Sequence, residues 1–139
     1  MMRMKLLIAI AIWPLLGLGV AKAQTIIVNS SVKISEISKA DLRDLFTGAS
    51  STYKNGARAV VVNLKGGPVR DTFLKNFVGK SDAAYSAAWR VIVFSGQGMM
   101  PKSFPTEEAL VEYVASVPGA IGYVGEATEH ENVKSLTVK

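Results

Sequence analysis

The chain has 139 residues, with 16 basic and 11 acidic side chains and no cysteine. The absence of cysteine excludes disulfides and thiolate chemistry. Three of the basic residues lie within the first 23, so the remainder is too mildly basic to indicate nucleic-acid binding. This length fits one small domain with one hydrophobic core.

The first 23 residues have the pattern of an export signal. Two basic residues precede the apolar run Leu6–Val20, which is shorter than the about 20 residues that a membrane span needs. Small residues at Ala21 and Ala23 are typical of a signal-peptidase site. The sequence therefore predicts a signal peptide over 1–23, cut after Ala23, and one domain over 24–139. Such a protein is periplasmic or secreted and has no stable membrane insertion after cleavage; an uncleaved anchor is the alternative.

The first half of the predicted domain begins with a strand and a helix. The β-branched run Gln24–Val28 predicts a buried strand. Ser38 stands at an N-cap position, and Gly48 is a natural C-terminal stop, so the apolar spacing between them predicts a helix over Lys39–Thr47. The apolar segment Ala57–Leu64 predicts a central strand.

The second half alternates helices and strands. Apolar spacing predicts helices over Val69–Val78, after Ser81 and after Thr106. Tyr85, Ala88, Trp89, Ile92 and Val93 form the predicted buried stripe of the second of these. The segments "AIGYVG" and "NVKSLTV" predict two final strands. The order β-α-β-α-α-α-β-β predicts an α/β sandwich around a mixed sheet.

The motifs of common catalytic and cofactor sites do not occur in this chain. His130 is the only histidine, and a lone histidine on a charged loop is typical of solvent rather than of a metal site. There is no G-x-S-x-G nucleophile motif, no P-loop and no dinucleotide fingerprint. We therefore expect no enzyme activity, no catalytic residue, no metal and no cofactor.

The segment Lys65-Gly66-Gly67-Pro68 joins a predicted strand to a predicted helix. A helix N-terminus exposes unpaired N–H groups that suit an anion, and two glycines let a ligand approach the backbone closely. Lys65 and Arg70 add positive charge. Pro68, however, removes one N–H from this turn, and proline is equally typical of a purely structural helix start. The residues alone leave both interpretations open.

Several segments resemble phosphate ABC-transporter substrate-binding proteins. The stretch "IIVNSSVKISEISKADLRDLFTG" is similar to that family's strand, asparagine and "LS-x-x-x-L-x-x-IF-x-G" pattern, and "PGAIGYV" (118–124) is the most specific match. "VVNLKGGPVRDTFLKNFV" stands where the family has "R-x-D-G-S-G-T". The resemblance extends from about Ile26 to Val138.

This resemblance implies one lobe of a type 2 periplasmic binding protein, a three-layer α/β sandwich with a mixed sheet. The family holds phosphate between two lobes. Its serine falls on Gly67 and its threonine on Val69, so both hydroxyls are missing, and Arg70 is the ligand side chain that matches. The glycine-serine-threonine loop of the family's other lobe does not occur in this chain.

Two functions follow as alternatives. The first is an exported solute-binding module for phosphate or a similar oxyanion, serving ABC-type transport, with ligand groups at Lys65, Gly66, Gly67 and Arg70. Ser30 and Ser31 would add hydroxyls on the same rim.

The second function is a ligand-free module that keeps the lobe fold for contact with a protein partner or a second copy. Met99, Met100 and Phe104, in a loop rich in glycine and proline, would form the contact surface. The alternative is that these three side chains fold back onto the core.

Overall fold

The computed structural model describes residues 24–127 and 129–139, so the predicted signal peptide, 1–23, lies outside the described residues. The strands of this part are β1 (Thr25–Asn29), β2 (Glu36–Ile37), β3 (Val60–Leu64), β4 (Lys102–Phe104), β5 (Ala120–Val124) and β6 (Val133–Val138). The helices are α1 (Lys39–Thr47), α2 (Pro68–Phe73), α3 (Asp82–Phe94) and α4 (Glu107–Ser116), and a π-helical turn, Leu74–Val78, continues α2.

All the described strands belong to one mixed sheet, in the order β2-β6-β1-β5-β3-β4. β3 runs parallel to both of its neighbours, β4 and β5, whereas β1 is antiparallel to β5 and β6. The predicted mixed sheet is therefore confirmed. The carboxyl ends of β3, β4 and β5 meet at one edge, while β1 ends at the opposite edge.

Helices cover both faces of the sheet. Along β5, Gly122 faces α4, where a Cβ would lie 2.9 Å from Leu110. The next residue, Tyr123, faces the other way and stacks on Phe73 with ring centroids 3.9 Å apart. Because every residue of β5 is buried, this strand packs on both sides, and the predicted three-layer sandwich is confirmed.

Side-chain caps fix three of the helix starts. Ser38, Ser81 and Thr106 each accept a hydrogen bond from the backbone N–H three residues later, at 3.0, 3.2 and 3.1 Å. Such a cap satisfies one of the N–H groups that a helix start leaves unpaired. These residue types in these positions are what predicted the helices, and α1 has the predicted bounds.

Gly119 occupies the tight turn between α4 and β5. Its φ is +80°, and a Cβ there would lie 2.5 Å from the carbonyl oxygen of Arg58. The backbone of Gly119 also accepts hydrogen bonds from the N–H of Val60 at 3.0 Å and from the hydroxyl of Tyr53 at 2.7 Å. Glycine is therefore required here both by backbone conformation and by close contact.

We expect Gly119→Ala to lower the free energy of unfolding by about 3 kcal/mol, because the strained φ and the collision with Arg58 add. Gly56→Ala is the matched control. Gly56 has a φ of +84° but no atom within 4 Å of its Cβ position, so only the conformational cost of about 1 kcal/mol applies. Urea denaturation measures both values. Equal losses in the two variants would show that the contact with Arg58 relaxes without cost.

Candidate functional site

The glycine turn lies at the edge where the parallel strands end. β3 stops at Leu64, and the N–H of Lys65 donates to the carbonyl of Phe104 at 2.8 Å, which ties the turn to β4. Gly67 has a φ of +97°, and Pro68 is the first residue of α2. A Cβ on Gly66 or Gly67 would meet nothing within 4 Å, so the space above both glycines is open to a ligand.

The positive charge of Arg70 lies beneath this turn and is buried, with 6% of the residue exposed. Its Nε and Nη2 donate to Oδ1 of Asp82, at 2.9 and 2.6 Å, and its Nη1 donates to the carbonyl of Leu64 at 2.8 Å. The guanidinium also lies 5.4 Å from the centre of the Tyr85 ring. Arg70 therefore links α2 to the end of β3 and to the start of α3.

The charge of Lys65 is placed differently. Its side chain is exposed, and it forms no ion pair with any residue in 24–127 or 129–139. The Asp82 carboxylate offsets most of the Arg70 charge, so Lys65 is the cation of the turn that remains free to attract an anion.

A network of buried hydrogen bonds holds the end of β3, the strand that leads into the glycine turn. Asn63, on β3, donates from Nδ2 to the hydroxyl of Tyr85 at 3.0 Å and accepts from the hydroxyl of Tyr123 at 3.1 Å. The Tyr85 hydroxyl in turn donates to the carbonyl of Phe46 at 2.8 Å, and that of Tyr123 accepts from the N–H of Leu64 at 3.2 Å. Each hydroxyl thus has a donor and an acceptor, so the network is satisfied and fixes the end of β3.

A cavity of about 270 Å³ opens beside the turn, between α3 and the β3–β4 edge of the sheet. Its lining comes from Asn63, Lys65, Arg70, Asp82, Tyr85, Ser86, Met100, Pro101 and Ser103. Six of these nine residues carry a charge or a hydroxyl group, so the cavity offers polar contacts to a small ligand.

The structure corrects the placement of Ser30 and Ser31. β1 is antiparallel to β5, with Val28 beside Ile121, so the residues after β1 lie at the edge where β3 begins. Ser31 Oγ accepts from the N–H of Gly119 at 3.0 Å, in the turn before β5. The prediction that the two hydroxyls share a rim with the glycine turn is wrong, because β1 runs in the opposite direction to β5 and β3 and therefore ends at the other edge of the sheet.

His130 lies far along the chain from the turn and is held by neighbouring acceptors. Its Nδ1 lies 2.8 Å from the carbonyl of Glu131, and its Nε2 lies 3.3 Å from a carboxylate oxygen of Glu112. The backbone contact and then the carboxylate raise the pKa of His130. Within the described ranges, no group of three or more histidine and carboxylate residues is placed to hold a metal.

Three residues of the site were underestimated from sequence. The apolar spacing predicted only that Tyr85 is buried, and no sequence pattern indicated a role for Asn63 or Asp82. The structure places Asn63 at 2% exposure between two tyrosines. The one usable signal was an asparagine inside an apolar central strand, since such a buried amide must find partners.

Comparisons with known proteins identify the fold. No family model matches the sequence, and no curated protein matches it. Among solved structures, the chain resembles a proposed phosphate ABC transporter substrate-binding protein with bound phosphate from Clostridium perfringens, at a TM-score of 0.61 and 18% identity over 84% of this chain and 44% of that one. An ABC-type phosphate transport receptor from Vibrio cholerae gives 0.59 and 13%, over 84% of this chain and 46% of that one.

A third similar structure, of a candidate phosphate-binding protein from Planctomyces limnophilus, gives a TM-score of 0.56 at 15% identity, over 84% of this chain and 41% of that one. The resemblance in fold that the sequence motifs indicated is therefore confirmed. The chain has the fold of a periplasmic-binding-protein lobe and spans less than half the length of the solved structures it resembles.

Burial of the tyrosine network predicts a loss of stability in alkali. Burial raises the pKa of Tyr123 to about 12, and burial also raises the pKa of Tyr85. A tyrosine whose pKa is raised by folding stabilises the folded state fully at pH values below its unfolded pKa of about 10. This stabilisation is lost as the pH rises through the pKa of the folded state. The free energy of unfolding should therefore fall between about pH 10 and about pH 12, by about 2 kcal/mol from Tyr123 alone.

Urea denaturation across this range measures how steeply the free energy of unfolding falls with pH. Tyr123→Phe removes the Tyr123 hydroxyl, so the fall should be smaller by the amount that this group contributes. The variant also loses stability at neutral pH, because Asn63 and the N–H of Leu64 lose a partner. A variant with the same alkaline slope as the unmodified protein would contradict the assignment.

Proposed function

We propose that this protein is an exported, single-lobe solute-binding module that holds phosphate or a similar oxyanion at the glycine turn. The observation that carries the proposal is the open turn at the carboxyl ends of parallel strands, with a free Lys65 above and the cavity beside it. A similar lobe occurs in a solved protein that has phosphate bound. Ligands of open α/β sheets bind at this edge.

The turn supplies three kinds of donor. Gly66 and Gly67 expose their backbone, and in a helix that begins at Pro68 the amides of Val69 and Arg70 have no acceptor within the helix. Lys65 adds a mobile ammonium group. Arg70 contributes mainly by position, because Asp82 and Leu64 already occupy three of its five N–H groups.

The same geometry predicts weak binding. Pro68 offers no N–H, and the Asp82 carboxylate reduces the positive potential at the turn. An oxyanion bound on one lobe also stays in contact with water on its other side. We therefore expect a dissociation constant of about 1 mM, or about −4 kcal/mol. A partner that covers the open side would raise the affinity, because removal of water strengthens charge-assisted hydrogen bonds.

Export is part of this proposal and rests on residues 1–23, whose sequence has the pattern of a signal peptide. In the part of the chain that the structure describes, no helix has the length and apolarity needed to cross a bilayer. The solved structures that the chain resembles are described as binding or transport proteins, which agrees with a role in binding rather than catalysis.

Isothermal calorimetry with phosphate at low salt tests the site. Lys65→Ala should weaken binding at least about fivefold, because it removes the free cation of the turn. Its side chain is exposed and unpaired in the described structure, so the fold should be unaffected. Lys33→Ala is the matched control: it removes the same charge from an exposed position near the opposite edge of the sheet.

Saturable binding that Lys65→Ala weakens and Lys33→Ala leaves intact supports the site. Equal weakening by both variants would indicate a general charge effect. If no heat is released at millimolar phosphate, the glycine turn is a structural corner only. In that case the alternative, a module for contact with another protein, becomes the better interpretation, and the exposed apolar residues of α3 favour it.

A further inference from the structure

Two adjacent methionines, Met99 and Met100, lie in the loop between α3 and β4. They are the only sulfur-containing residues between Gln24 and Lys139, because the chain has no cysteine and its other three methionines fall within the first four residues. Met99 is 88% exposed and Met100 is 48% exposed. Core packing protects a methionine from solvent, whereas these two thioethers are open to a small oxidant dissolved in water.

Met100 forms part of the wall of the cavity beside the glycine turn, whereas Met99 is not among the residues that line it. Lys65, Arg70 and Ser103 belong to the same wall. A sphere with the cavity volume of about 270 Å³ is about 8 Å across, so a polar atom on one wall lies close to a ligand inside. The two methionines therefore share their chemistry and differ in their position relative to the candidate site.

The cavity wall carries hydrogen-bond donors that a ligand can use. The Lys65 ammonium forms no ion pair in the part of the chain that the structure describes. Arg70 gives three of its five N–H groups to Asp82 and to the carbonyl of Leu64, which leaves two. A thioether sulfur is only a weak acceptor, so Met100 in its reduced form leaves these donors to the ligand.

We propose that Met100 is a redox-sensitive residue of the oxyanion site, and that its oxidation to the sulfoxide by a peroxide lowers the affinity for phosphate. This inference rests on the proposed function. The Met100 sulfur attacks one oxygen of hydrogen peroxide, an S–O bond forms and the O–O bond breaks. The proton of the transferred oxygen passes to the leaving hydroxide, which becomes water, and the sulfur loses the two electrons that the peroxide gains.

Oxidation changes what the cavity wall offers to an anion. The sulfoxide oxygen carries partial negative charge and is a much better hydrogen-bond acceptor than the thioether. It competes with phosphate for the Lys65 ammonium, and it repels the anion directly. Because the loss of one charge-assisted donor removes a large share of a weak affinity, the dissociation constant should rise at least about threefold. Enzymatic reduction of the sulfoxide reverses the change.

Met99 supplies a control within the same loop. Its greater exposure predicts that it is oxidised faster than Met100. Its sulfoxide would form outside the set of residues that line the cavity. Oxidation of Met99 should therefore change the affinity for phosphate by less than about twofold.

Hydrogen peroxide tests the proposal on two variants that each keep one methionine of the pair. In Met99→Leu the sulfoxide forms at residue 100, and in Met100→Leu it forms at residue 99. Mass spectrometry of the digested protein locates the added oxygen, a gain of about 16 Da on one peptide. Calorimetry with phosphate before and after oxidation makes each variant its own reference. We expect Met99→Leu to lose affinity on oxidation and to regain it on reduction, while Met100→Leu keeps its affinity.

Three results overturn the redox role. Residue 100 stays unoxidised while Met99 is fully converted, a sulfoxide at residue 100 leaves the affinity unchanged, or both variants lose affinity equally. A reduced protein that binds no phosphate overturns this role together with the proposed function. That failure is distinguishable from the other three, because it is seen before any peroxide is added.

Discussion

The buried guanidinium of Arg70 is the contact on which the candidate site depends. A charge at 6% exposure must be paired and hydrogen-bonded, because its desolvation otherwise costs several kcal/mol. Arg70 meets this requirement with Asp82 and the last carbonyl of β3. The result is a fixed spatial relation between β3, α2 and the start of α3. The glycine turn begins directly after Leu64, so the bond from Arg70 to the Leu64 carbonyl anchors the start of the turn.

The sequence analysis treated Lys65, Gly66, Gly67 and Arg70 together as ligand groups, whereas the structure gives them two separate roles. Arg70 and Asp82 hold the architecture, whereas Lys65 and the exposed backbone of Gly66 and Gly67 form the accessible part of the turn. An oxyanion would therefore meet a rigid frame with modest net charge. A rigid site of modest net charge selects a small ligand by its shape but binds it weakly. A partner that covers the open side of the turn would complete the site.

Local rules predicted the helices well because caps and stops are local chemistry. Ser38 and Gly48 mark the start and the end of α1 in the sequence prediction and in the structure alike.

The pairing of strands that are distant in sequence was harder to predict. The two-residue β2 and three-residue β4 are too short to show a period. Ser30 was placed at the wrong edge of the sheet because the direction of β1 is set by its pairing with β5.

Val93, which was predicted to be buried, is 40% exposed. Apolar residues occur on several sides of α3, so the sequence does not show which side faces the core. Of the loop residues, Phe104 packs against Tyr113 while Met99 stays exposed.

The most direct test of the account is a titration of the isotope-labelled protein with phosphate, followed by the backbone amide signals in NMR spectra. We expect saturable shifts at Gly66, Gly67 and Val69, with the signals of Ser30 and Ser31 unchanged because they lie at the other edge of the sheet. Shifts confined to another surface, such as the acidic cavity around Glu112 and His130, or no shift in a folded protein, would contradict the assignment of the glycine turn as the ligand site.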